Sequence, residues 1–303
     1  MAYWLNQVLA KTVSLAPRPL IRWIAHRYVA GDTLEDAIQL VPSLAQNGYS
    51  ATIDVLGEHI SDLTESYPYV ATYQQLIGAI SVRQLAAGIS LKLSQFGLSL
   101  DPEQAWNHLS LIMEQARQSA IFIRLDMEDS SLTDAILTLF SHALAEYPQT
   151  GVTIQACLKR SIRDVETLLA VHPNIRICKG IYKEPPEIAY QDRDQIRHNY
   201  MVLVRLLLEH GGYVAIATHD PILIDESIDF IENNRITPDR FEFQALLGVP
   251  IQKTLSQLIQ KGYHVRLYIP YGEDWYPYSI RRLKENPDIA GYVIKNFFTL
   301  RSR

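Results

Sequence analysis

After Gly31 the chain alternates short apolar, β-branched runs with longer stretches in which apolar residues recur every three or four positions. The short runs fall at 51–57, 89–97, 120–129, 152–158, 174–182, 213–220, 240–248 and 264–272. The periodic stretches fall at 62–86, 102–119, 132–146, 161–171, 192–210, 221–233, 251–260 and 275–286. A period of two suits a strand and one of 3.6 a helix, so the pattern predicts eight strands, each followed by a helix. Asp101-Pro102 and Asp220-Pro221 each place a capping side chain ahead of a first-turn proline, and Ser130-Ser131 precede another periodic run. Strands alternating with helices imply parallel βαβ units, and eight of them close a barrel. The expected fold is an α/β, (β/α)8 TIM-type barrel over residues 49–303, with an N-terminal helical extension over 1–48.

Within the strands, alternate side chains face opposite ways. Ile53 and Val55 share one face and Thr52 and Asp54 the other; Ser90 and Lys92 oppose Leu91 and Leu93; Arg124 and Asp126 oppose Ile123 and Leu125. Thr153 groups with Gln155, Arg176 with Cys178, Glu242 with Gln244, and Arg266 with Tyr268. The apolar set must pack on helices, so the polar set points into the barrel. An ordinary barrel lumen is filled by branched apolar side chains. This one is expected to hold Asp54, Lys92, Arg124, Asp126, Arg176, Glu242 and Arg266, four cations against three anions. Buried charges have to be paired with one another or with a ligand. Arg124, Glu242 and Arg266 are read as a deep ion-pair network without direct chemistry. The groups nearest the strand C-termini are the functional candidates, and the surplus of positive charge suggests an anionic ligand.

Charge and composition narrow the classes. The chain has 303 residues, with 28 Lys and Arg against 33 Asp and Glu, a balance that argues against a general nucleic-acid binder. No run of about 18 uncharged apolar residues suggests a membrane span. Cys157 and Cys178 lie inside apolar runs and form no metal or disulfide framework, so a reducing cytoplasm is the expected location. Residues 1–30 carry Lys11, Arg18, Arg22 and Arg27 but no acid, with Trp4, Leu5, Val8, Leu9, Leu20, Ile21 and Ile24 at helical spacing. That segment reads either as a helical arm packed on the barrel or as a basic amphipathic surface touching anionic lipid.

Several chemistries lack their signatures. There is no G-x-G-x-x-G, no Walker A loop and no G-x-S-x-G elbow. The nine histidines form no H-x-H or H-E-x-x-H, and Glu58-His59 and His219-Asp220 are the only suggestive acid–histidine neighbours, so no metal is expected. The segment from Trp275 to Asn286 is richer. If it is helical, Tyr278 shares a broad face with Arg281 and Arg282. Two guanidinium groups beside a phenol can clamp a carboxylate; alternatively the face is solvated, with Arg281 pairing Glu285 at i+4.

The ordered motifs resemble the proline dehydrogenase family, in its short monofunctional bacterial form. They are Ser90-Leu-Lys92-Leu-Ser-Gln-Phe-Gly97, Arg124-Leu-Asp126-Met127-Glu128, Thr153-Ile-Gln155, Arg176-Ile-Cys-Lys179-Gly180-Ile-Tyr182, Ala217-Thr218-His219-Asp220, Phe241-Glu242-Phe-Gln244, and the closing Tyr268-Ile-Pro-Tyr-Gly272 with Tyr278-x-x-Arg281-Arg282-Leu-x-Glu285-Asn286. The resemblance implies oxidation of L-proline to Δ1-pyrroline-5-carboxylate on noncovalent FAD, with electrons passed to a quinone and a peripheral contact at the inner face of the cell membrane. It implies that Lys92, Arg281 and Arg282 hold the substrate carboxylate, that Tyr268 and Tyr278 shape the ring pocket, and that Asp126 anchors the hydrogen bonds around them. Arg176 would sit at the reactive edge of the isoalloxazine. Met127, Gln155, Lys179, Gly180, Ile181, Thr218 and His219 would hold the rest of the flavin.

Two departures accompany the resemblance: Ile181 stands where the family commonly has Ala, and Ala156-Cys157-Leu158 is poorer in aromatics than usual. Tyr268 is the residue expected for proline, whereas related hydroxyproline enzymes tend to carry something smaller. Two competing readings stay open at this level. One is a Schiff-base aldolase with Lys92 or Lys179 as the amine. The other is a catalytically silent barrel that binds a small carboxylate.

Overall fold

The structure is a computed structural model describing residues 18–285. Helices α1 (Arg18–Ala25) and α2 (Leu34–Gln46) precede strand β1 (Tyr49–Val55). The basic amphipathic pattern of Trp4 to Leu9 lies outside the described residues. Seven further strand–helix units then follow in order. The strands are β2 (Ala87–Leu91), β3 (Ile123–Leu125), β4 (Thr150–Gln155), β5 (Asn174–Cys178), β6 (Tyr213–Ala217), β7 (Phe241–Leu246) and β8 (Val265–Tyr271). The helices are α3 (Ser66–Val82), α4 (Pro102–Gln118), α5 (Thr133–Glu146), α6 (Ser161–Leu168), α7 (Arg193–Glu209), α8 (Pro221–Asn233), α9 (Gln252–Gln260) and α10 (Trp275–Glu285). Each strand pairs in parallel with its sequence neighbour, and β8 returns to β1, so the sheet is a closed eight-stranded barrel.

Two helix starts follow from the chemistry of the preceding residue. Asp101 accepts from the backbone N–H of Glu103 and Gln104 at 3.0 and 3.1 Å, and Asp220 accepts from Ile222 at 3.3 Å. Strand lengths depart from expectation. β2 stops at Leu91, and Leu93–Phe96 form a 3-10 turn instead of continuing the strand. β3 has only three residues. Lys92 and Asp126 therefore stand on the first residues past their strands, at the C-terminal rim.

Parity sorts the faces as expected. Ile53, Ile89, Leu91, Ile123, Leu125, Ile175 and Ile177 are wholly buried among the surrounding helices. Asp54, Arg124, Asp126, Arg176 and Glu242 are also buried. The deep network differs in detail. Glu242 pairs with Arg266 at 3.0 Å, but Arg124 turns to the carbonyls of Val152 and Asn174 at 3.0 and 2.7 Å and to the Asn174 side chain. Gly151 makes this geometry possible, because a Cβ there would lie on the Arg124 guanidinium. A guanidinium needs acceptors, and backbone carbonyls on two neighbouring strands supply them without a second carboxylate.

Candidate active site

The C-terminal rim opens on a cavity of about 920 Å³, at the upper end for a small-molecule site. All fourteen residues singled out above line it: Lys92, Asp126 and Met127 from the ends of β2 and β3; Gln155 from β4; Arg176, Lys179, Gly180 and Ile181 from β5 and its loop; Thr218 and His219 after β6; Tyr268 on β8; and Tyr278, Arg281 and Arg282 on α10. Parallel strands deliver their C-termini to one end of a barrel, which is why positions so far apart in sequence converge.

Asp126 sits at the centre. Its Oδ1 accepts from Arg176 at 2.6 Å and from the Ser90 hydroxyl at 2.7 Å, and its Oδ2 accepts from the Tyr268 hydroxyl at 2.8 Å. Burial would raise its pKa, but Arg176 and Lys92, with the Ser90 and Tyr268 bonds, outweigh it and hold the carboxyl below the usual range. Arg176 also donates from Nε to Gln244 at 2.6 Å and stacks over Tyr268 with its guanidinium carbon 5.2 Å from the ring centroid. Its Nη2 is buried with no hydrogen-bond partner among the described residues.

Lys92 donates to both oxygens of Asp54, at 3.0 and 3.2 Å, and lies 3.9 Å from Asp126. Burial works against the ammonium, yet the two carboxylates prevail and hold Lys92 above the ordinary lysine range. A Schiff-base nucleophile needs the opposite shift, so the geometry disfavours Lys92 in an aldolase. Asp54 itself is pushed upward by complete burial.

Arg281 is not free at the rim. Its two terminal nitrogens donate to the two oxygens of Glu58 at 2.8 and 2.6 Å, a partner 223 positions away in sequence. Arg282 lies beside the Tyr278 ring at 5.3 Å. On the opposite wall, Asp220 bridges Lys179 at 3.1 Å and Arg197 at 2.9 Å, and Arg193 joins the lining. His219 accepts the Leu246 N–H through Nε2 at 3.0 Å, and burial beside Arg282 and Lys179 lowers its pKa to about 4, so the ring is neutral at pH 7.

Sequence reading missed Glu58, Tyr182, Arg193 and Arg197 as cavity residues. Glu58 follows Gly57 in a loop, where period-two parity carries no signal. Arg193 and Arg197 open α7, away from the strand ends on which the parity argument rests. Tyr182 lay inside a quoted motif, and nothing in its spacing set it apart. No group of three His, Cys, Asp or Glu among the described residues is arranged to hold a metal ion.

The fold and this charged mouth define a (β/α)8 barrel with a cation-rich cavity at its C-terminal rim. A sequence model described as proline dehydrogenase matches residues 37–295. Proline dehydrogenase 1 of Bacillus subtilis strain 168 is 36% identical over 271 residues, covering 89% of each chain. The proline dehydrogenase of Deinococcus radiodurans is 36% identical over 307 residues, covering 96% of this chain and 98% of that one. The solved proline utilization A from Bdellovibrio bacteriovorus, inactivated by N-propargylglycine, is 22% identical with a TM-score of 0.81 over 88% of this chain; the match spans 33% of that longer protein. The chain belongs to the proline dehydrogenase family, whose members oxidise proline in its catabolism.

Proposed function

We propose that the cavity binds FAD and L-proline side by side, and that proline loses a hydride from the ring carbon next to nitrogen and a proton from nitrogen to give Δ1-pyrroline-5-carboxylate. A quinone then takes the electron pair onward, reached through peripheral contact with the membrane. The observation that carries this reading is the convergence of Lys92, Asp126, Arg176, Arg281 and Arg282 on one cavity too large for proline alone.

The residues present fit a flavin. Gly180 has φ +101°, and a Cβ there would meet the Cys157 thiol, so backbone rather than side chain faces the cavity. The unpartnered Nη2 of Arg176 is a buried donor suited to an electron-rich ring edge. Met127, Gln155, Arg176, Lys179, Gly180, Ile181, Thr218 and His219 would hold the cofactor, with Arg193 and Arg197 adding charge toward its phosphates. Bound there, the flavin supplies the hydride acceptor.

On the substrate side, Lys92, Arg281 and Arg282 grip the carboxylate. Arg281 must share its guanidinium between Glu58 and the incoming anion, so binding is an exchange of one carboxylate for another. Tyr268, fixed by Asp126 and by stacking on Arg176, walls the ring together with Tyr278. Lys92, Arg176, Arg281 and Arg282 outnumber the carboxylates of Asp54, Asp126 and Glu58 by one, and this surplus of positive charge disfavours an ammonium and promotes the neutral amine that hydride loss requires.

Anaerobic addition of L-proline to the FAD-loaded protein is expected to bleach the flavin band with one equivalent of substrate. An unchanged spectrum would remove the proposal and leave the silent carboxylate-binding barrel, while borohydride trapping of substrate on lysine would establish the aldolase.

A further inference from the structure

Glu128 closes the Arg124-Leu-Asp126-Met127-Glu128 run, and the reaction above gives it nothing to do. Its side chain is fully buried. It stands in no ion pair among the described residues; Lys92 and His59 act on it only at longer range. Burial pushes its carboxyl upward, against the pull of the Ser94 bonds. A buried carboxylate without a cation is expensive, and a neutral side chain would fill the place at lower cost.

What the carboxylate does hold is one serine. Glu128 accepts the Ser94 backbone N–H at 3.0 Å and, at short range, the Ser94 hydroxyl. The Ser94 hydroxyl oxygen in turn accepts the His59 N–H at 3.1 Å. His59 has φ +44°, a left-handed conformation that a non-glycine residue keeps only where its surroundings enforce it. Glu58, the partner of Arg281, immediately precedes this strained residue, and Lys92 lies two residues before Ser94. The Glu128 carbonyl also accepts from Gln155 Nε2 at 2.9 Å. The Glu128 side chain thus holds Ser94 after β2, and Ser94 in turn holds His59 after β1, while Gln155 at the end of β4 joins through the Glu128 backbone.

We propose that Glu128 is a positioning residue for proline oxidation: through Ser94 it fixes the turns bearing Lys92 and Glu58, and with them the carboxylate clamp of Lys92 and Arg281. The proposal rests on the proline reading above, since the clamp is defined by the substrate it grips. Cofactor binding is affected little, because Gln155 is held by the backbone carbonyl, which any residue at 128 retains.

The test compares Glu128→Ala, Glu128→Gln, Ser94→Ala and the double variant Ser94→Ala/Glu128→Ala as FAD-loaded enzymes. Loss of the buried acceptor is expected to raise the proline KM about tenfold or more in Glu128→Ala, with kcat and flavin per chain nearly unchanged. Glu128→Gln keeps an oxygen for the Ser94 N–H and should recover most of that KM. The double variant should resemble Glu128→Ala, because both changes break one link. Wild-type KM in a folded Glu128→Ala enzyme, or KM effects that multiply in the double variant, would overturn the proposal. Should Glu128→Ala not fold, Ser94→Ala decides alone, and a wild-type KM there is equally fatal. A wild-type enzyme that fails to oxidise proline would instead defeat the functional reading.

Discussion

Gly180 shows how much one missing Cβ can matter. Its φ of +101° is strained for any other residue, and the space an alanine Cβ would fill belongs to Cys157, with the Gln155 amide oxygen 3.2 Å away. Gly180→Ala is expected to lower flavin retained per chain after desalting, and adding Cys157→Ala should restore part of it; full retention in the single variant would remove the cradle role. Arg281→Met is expected to raise the proline KM by more than tenfold, as loss of a bidentate charged contact should, with flavin content unchanged; steady-state kinetics beside absorbance decide it. At this scale the sequence was informative in proportion to its periodicity. Strand parity placed Asp54, Arg124 and Arg176 inward, because a strand fixes which way every second side chain faces. It could not say that Lys92 would choose Asp54 over Asp126, since a flexible lysine stem reaches either. Nor could it reveal Glu58, whose partnership with Arg281 depends on where a loop and a distant helix meet.

At the scale of elements, the helix that carries the clamp is itself backed by another. α1 packs on α10, with Arg18 over the Tyr276 ring at 4.9 Å, Arg22 over Trp275 at 5.3 Å, and Ile21 fully buried. Arg281 and Arg282 are therefore aimed partly by residues at the other end of the chain. Ile21→Ala, a buried truncation that costs about 2–4 kcal/mol at its site, is expected to raise the proline KM several-fold while flavin binding stays intact; equal KM values in the two enzymes would mean α10 is held without α1. Helix starts with Asp-Pro were readable because the cap is local chemistry. The 3-10 turn at Leu93–Phe96 was not, since its apolar run also satisfies a strand, and only the Ser94–Glu128 bonds show why the chain bends there.

At the scale of the whole molecule, charge is distributed in two tiers. The lower tier is structural. Glu242 is held below the usual carboxylate range because Arg266 outweighs its burial. Glu242→Gln would leave that guanidinium without its counter-ion, and a loss of about 3 kcal/mol is expected in denaturant unfolding. The upper tier belongs to the cavity, and His219 reports on it. The unfolded chain takes up a proton near pH 6.5, whereas the folded ring does so only near 4. Stability is therefore intact above 6.5 and drains away as pH falls toward 4, at up to about 1.4 kcal/mol per pH unit. In cofactor-free protein the Tm of His219→Gln should fall less steeply across that window than the wild type; parallel curves would place the histidine in solvent. The barrel itself was legible throughout, because eight repeats of one alternation leave few other ways to bury eight apolar faces. The sharing of carboxylates between cations was not, since it depends on distances no linear pattern encodes.

The seam between the first and last parts of the chain has a consequence for how the protein is made. Ala30 donates to the Pro270 carbonyl, Gly272 to the Gly31 carbonyl, and β8 closes on β1. All of these partners lie more than 200 residues apart, so neither can settle until the other has left the ribosome. At roughly 5–20 residues per second, α1 waits on the order of ten seconds to a minute for α10. Throughout that interval the nascent chain carries an open-edged sheet and an uncovered Ile21, the state in which chaperones would find it.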